Sequence, residues 1–205
     1  MIWKNTLVRL LLAVPVLAAG IALGAPSPAA AAAALVCNDP SQQFDVTYGG
    51  NVVVPANGVC DLYDAVIRGS VTAEPGAIVN FVGSEVRGSI VATNPATFVL
   101  IQTTVRGSVT ATGSASSATV STSEVRGDVV LTDIVGASIG TTVIFVDTVV
   151  RGNATVSRNA VSPGAGIDIS LNTIAGNLVC EGNTPDPMGG SNSVGGARTG
   201  QCASH

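Results

Sequence analysis

Apolar positions in this chain fall in short alternating runs rather than in helical stripes. In Glu85-Val86-Arg87-Gly88-Ser89-Ile90, alternation sets Val86 and Ile90 on one side and Glu85, Arg87 and Ser89 on the other. About ten residues after each such Gly comes a second apolar run. Examples are Ala77-Ile78-Val79-Asn80-Phe81-Val82, Thr97-Phe98-Val99-Leu100-Ile101 and Gly166-Ile167-Asp168-Ile169-Ser170-Leu171. Turn residues separate the runs, as in Glu74-Pro75-Gly76, Asn94-Pro95 and Ser162-Pro163-Gly164. A period of two, with Val and Thr in place of helix formers, predicts strands throughout.

The runs repeat. Gly50, Gly69, Gly88, Gly107, Gly127, Gly152, Gly176 and Gly196 fall in register at spacings of 19, 19, 19, 20, 25, 24 and 20 residues. An aliphatic and then Arg precede the Gly in Ile67-Arg68, Val86-Arg87, Val105-Arg106, Val125-Arg126 and Val150-Arg151; the pair becomes Ile174-Ala175 at the next unit. A fixed period of this length is the mark of a stacked architecture. Two strands and two corners per unit predict an all-β fold, a parallel β-helix (β-solenoid) of seven to eight short rungs, each about 4.8 Å above the last. Stacking then builds an outward row of Arg68, Arg87, Arg106, Arg126 and Arg151. Beside it runs a row of Asn51, Ser70, Ser89, Ser108, Asp128, Asn153 and Asn177, with the Gly at a bend too tight for a Cβ.

Composition fits a thin-walled stack. Apolar residues make up 46% and aromatics only 3%, so the core rests on small and β-branched side chains. Residues 1–34 read as a signal peptide: Lys4 and Arg9 precede an apolar Leu10–Gly24, and Ala29–Ala34 offers small-residue cleavage sites. Pro15 and Pro26 interrupt the stretch and argue against a permanent membrane anchor, and Val36 before Cys37 argues against lipidation. Cleavage leaves a single domain over 35–205 with seven Arg and 13 acidic residues, a net charge of −6 by subtraction. An acidic chain without Lys is not expected to bind nucleic acid or anionic lipid.

The four Cys are expected as two disulfides, Cys37 with Cys60 and Cys180 with Cys202, because a rod would hold a cross-pair too far apart. They would close an N-terminal cap at 37–60 and a C-terminal cap at 176–205. Zinc is not expected, since neither CxxC spacing nor a nearby His is present. No cofactor and no catalytic residue is assigned. The one His is His205, aromatic residues are scattered, and Asp61, Asp64 and Asp168 lie at no spacing that implies a shared site.

Two features carry candidate functions. The Arg row is expected to be a solvated, partly paired edge, with Glu85 and Glu124 on its face. Its alternative is a ligand-binding row for an anionic polymer, such as acidic cell-wall material or polysaccharide. The two longest units place their surplus at Asp133–Gly140 and Arg158–Gly164, expected to be surface loops on one side. The row Val53, Thr72, Val91, Thr110, Val130, Thr155, Val179 mixes Thr and Val, and reads as too irregular for an ice-matching array.

The run Gly176-Asn177-Leu178-Val179-Cys180-Glu181-Gly182-Asn183-Thr184-Pro185, closing on Gly200-Gln201-Cys202, resembles the tail of small exported actinobacterial repeat proteins of unknown function. Those proteins share upstream repeats of the form Val-x-Gly-[Ser/Asn]-Val, and the rungs are also loosely similar to bactofilin repeats, from which the chain departs in its Cys pairs and its leader. The resemblance implies a β-solenoid and export, and no activity, catalytic residue or ligand. The resulting expectation is a secreted structural or adhesive envelope protein without catalytic activity.

Overall fold

A computed structural model describes residues 34–113, 116–136, 142–162 and 164–205. Residues 1–33, which hold nearly all of the expected signal peptide, lie outside the described residues. Every strand pairs in parallel with its equivalent one repeat away, which makes the chain a β-solenoid. Among the described residues, three stacked sheets of nine, eight and eight strands form its walls. The expected two strands per unit are thus corrected to three. The run around Val86 to Ile90 bends at Arg87-Gly88 and contributes to two walls: Glu85–Val86 to one, Ile90–Thr93 to the next.

We number the coils 1 to 8, spanning 35–48, 52–67, 71–86, 90–105, 109–125, 129–150, 154–174 and 178–194; Arg198–Gly200 closes the stack. Each coil runs through face 1 (Ile90–Thr93 in coil 4), face 2 (Thr97–Ile101) and face 3 (Thr104–Val105). Inward rows fill the interior. On face 2, Leu62, Phe81, Leu100, Val120, Phe145 and Ile169 stack in register, all fully buried. On face 3 the row is Ile67, Val86, Val105, Val125, Val150 and Ile174. The aliphatic of each Val-Arg-Gly unit is therefore core. A narrow triangular stack leaves room for few rings, so three Phe suffice.

The corner between faces 2 and 3 is set by a left-handed residue in every coil. Asp45, Asp64, Gln102, Thr122, Asp147, Leu171 and Ser191 have φ between 50° and 61°, and Gly83 has 65°. Seven non-glycine residues in a conformation that costs about 1–2 kcal/mol each are held there by the stack around them.

Candidate functional site

The Arg row stands at the corner between faces 3 and 1. The Ser/Asn/Asp row beside it explains why that corner repeats. The side-chain oxygen of each member accepts the backbone N–H of its counterpart on the next coil. Ser70 N–H donates to Asn51 Oδ1 (2.9 Å), Ser89 N–H to Ser70 Oγ (3.2 Å) and Ser108 N–H to Ser89 Oγ (3.1 Å). The ladder continues through Asp128, Asn153 and Asn177 and ends at Ala197 N–H (2.8 Å). Only a short side chain with an acceptor oxygen can close this link, which is why the position holds Ser, Asn and Asp alone.

Gly107 shows why the preceding residue is glycine. Its φ is not left-handed, but a Cβ there would fall on Ser89 Oγ and the Gly88 carbonyl, well inside van der Waals contact. The requirement is close approach between coils.

Arg68, Arg87, Arg106, Arg126 and Arg151 all point outward and are exposed. Glu85 Oε1 meets Arg87 Nε at 3.3 Å and Arg106 Nη2 at 2.7 Å. Glu124 Oε1 meets Arg151 Nη2 at 3.1 Å and lies 3.8 Å from Arg126 Nε. Each Glu so links two successive coils. Five guanidiniums against two carboxylates leave a formal +3 on the edge. Exposed pairs of this kind contribute about 0–1 kcal/mol each.

The structure corrects the reading of the longer units. The described part of their surplus falls between faces 1 and 2, on one side as expected, but it is not plain loop. Val135, Ala160 and Thr184 bridge in parallel, adding a fourth short wall over coils 6 to 8. Ile134 and Asn159 beneath it are fully buried. Ile134 N–H donates to Asn159 Oδ1 (3.0 Å) and Asn159 N–H to Asn183 Oδ1 (3.1 Å), while their amides donate inward to Leu131 O and Val156 O. At the start of this wall Arg158 grips Asp133 through two 2.8 Å hydrogen bonds. Those bonds hold the Asp133 carboxyl below its ordinary 3.8.

Sequence reasoning missed a second buried polar row, at the corner between faces 2 and 3: Ser84, Thr103, Ser123, Thr148, Asn172 and Asn192. Ser84, Ser123, Asn172 and Asn192 accept N–H groups from the coil before, as in Ala65 to Ser84 (3.1 Å), Thr148 to Asn172 (3.0 Å) and Asn172 to Asn192 (3.0 Å), while the Thr103 and Thr148 hydroxyls donate to the Phe81 and Val146 carbonyls (3.1 and 3.0 Å). The available signal was a small polar residue two positions before each inward aliphatic of face 3 from Val86 onward.

The Thr/Val row of face 1 is also corrected. In register it alternates strictly: Val53, Thr72, Val91, Thr110, Val130, Thr155, Val179, Thr199. Asp61 and Asp168 both lie on face 2 but five coils apart, or about 24 Å at 4.8 Å per coil. Among the described residues no cavity opens, no three His, Cys, Asp or Glu side chains converge, and no helix is long and apolar enough to cross a membrane. No protein-family model, curated protein or solved structure matches the chain.

Proposed function

We propose that the chain is a secreted structural or adhesive protein of the cell envelope or extracellular space, acting as a stiff rod about 40 Å long. The observation that carries this is continuity. Backbone and side-chain ladders run from coil 1 to the closing strand with every inward row filled, and a disulfide lies buried inside each end. Such a wall withstands proteolysis because opening any coil breaks pairing on both sides. Buried disulfides suit an oxidising compartment, and the leader and the likeness to exported repeat proteins point the same way. Fractionating expressing cells and sequencing the mature N-terminus tests it. Release of an oxidised, protease-resistant chain starting between residues 30 and 36 supports the reading. A cytoplasmic chain with free thiols overturns it.

A second reading, binding of an anionic or carbohydrate polymer, rests on the five exposed guanidiniums one coil apart. Glu85 and Glu124 weigh against it, because they occupy four of the five. Binding to an acidic polysaccharide should drop sharply in an Arg87→Ala/Arg106→Ala variant and at high salt; unchanged binding removes the reading.

A further inference from the structure

The outward side of face 2 differs from the other two walls. Its edge row runs Phe44, Tyr63, Val82, Ile101, Ser121, Val146 in register, and its middle row Asp61, Asn80, Val99, Thr119, Ile144. The first outward positions are Val59, Ile78, Thr97, Ser117 and Thr142. No Arg stands on this wall from coil 2 to coil 7, and its only outward charges there are Asp61 and Asp168. Phe44 is 57% exposed and stacks on Tyr63 with centroids 4.9 Å apart. The outward positions of the other walls carry the Asn/Ser/Asp row, the Val/Thr row and the Glu/Arg edge. Phe44, Tyr63, Val82 and Ile101 thus form an unbroken outward apolar strip, and a strip of this kind marks an interaction surface.

From these observations we infer that face 2 is the interface of a homodimer, in which two copies pack wall to wall. Its five-residue strands stay in unbroken register from coil 2 to coil 6, so the surface is flat and its best complement is a second flat sheet. An uncharged centre gives a polyelectrolyte partner nothing to grip. Five residues at about 3.3 Å and six coils at about 4.8 Å give a footprint of roughly 475 Å² per chain. With side-chain relief, two copies bury about 1,000 Å², the lower bound for a specific interface and the size of a weak complex.

Charge fixes the arrangement. A two-fold axis along the strands, between coils 3 and 4, runs the rods antiparallel and sets coil 1 against coil 6 of the second copy. Val82 then meets Ile101, Phe44 meets Val146, and Asp61 meets the Thr119 hydroxyl, while Asp168 lies outside the contact. A parallel pair would instead hold the Asp61 and Asp168 carboxylates of both copies within one interface. The contact is isologous and closed, distinct from end-to-end stacking.

Sedimentation equilibrium of the oxidised 35–205 chain, from about 5 to 500 µM, tests this. A monomer–dimer equilibrium is expected. Val82→Lys and Ile101→Glu should each raise the dissociation constant at least about 100-fold by burying an unpaired charge, and an equimolar mixture of the two should recover dimer through a Lys–Glu contact. Thr119→Lys, placed opposite Asp61, should tighten the dimer about fivefold or more, and this gain does not depend on the disruptive variants folding. A chain that stays monomeric throughout overturns the proposal, and so does a dimer indifferent to all three substitutions.

Discussion

At the residue scale, the stack is most exacting where one coil touches the next without a side chain between them. Gly107→Ala would press a methyl group into Ser89 Oγ and the Gly88 carbonyl. Overpacking of this kind costs about 1–3 kcal/mol. Gly49 has no atom within 4 Å of its Cβ position and is not left-handed, so Gly49→Ala should be neutral or stabilise by about 0.5 kcal/mol. Denaturant titrations of the two variants separate close approach from a generic glycine effect. The buried row offers a second check. Asn172→Ala strips the acceptor from Thr148 N–H and the donor from Phe145 O. Each group left unpaired costs about 1–3 kcal/mol. Asn172→Ser retains an acceptor, as Ser123 does two coils earlier, and should lose clearly less in the same titration.

Elements were legible in the sequence to the extent that their side chains alternate. Glycine register and inward aliphatics locate the coils, and alternation alone sets Val86 and Ile90 inward and Arg87 outward, as in the structure. The third wall was not legible, because Glu85–Val86 and Ile90–Thr93 form one continuous alternating run. The bend between them comes from contact of Gly88 with Ser70, which lies 18 residues away in sequence. The Asn159 and Asn183 row was equally hidden, since a polar residue in a longer unit reads as loop until its partner one coil away is known. The Arg edge was located residue by residue; the bridging of two coils by each Glu was not.

The Asp133–Arg158 contact at the fourth wall gives a pH dependence whose sign is fixed. The folded-state pKa of Asp133 is lowered, so its contribution is present above the ordinary 3.8 and is lost as pH falls below it. Asp39, lowered by hydrogen bonds from Ser41, acts in the same window. Thermal melts should therefore show neither carboxylate's effect between about pH 5 and 7, with loss setting in below about pH 4. Asp133→Asn should flatten that acid limb; an unchanged limb would show that the contact does not persist in solution.

For the whole molecule, the disulfides and the stack act at different points. Cys37–Cys60 and Cys180–Cys202 close short loops at the two ends, with sequence separations of 23 and 22 residues. Replacing either pair with Ser should cost about 3 kcal/mol. Hydrogen exchange should rise first in the adjoining coil while coils 4 and 5 keep their protection, as expected where stability is a sum of neighbour interfaces. Uniform loss across all coils would mean that the rod melts as one unit.

The central claim is that one repeat is one closed coil whose neighbours are interchangeable. Deleting residues 90–108 joins Ser89 to Val109 and restores an Arg-Gly-Ser-Val corner, so the chain should fold with both disulfides in a rod one coil, or about 4.8 Å, shorter. Deleting only 90–99 removes half a coil and sets face 1 residues against face 2. Circular dichroism melts of the two deletions against the intact chain make the comparison. A cooperative sheet transition in the whole-coil deletion alone is the predicted result. Equal collapse of both, or equal tolerance of both, would contradict the stacked-coil account.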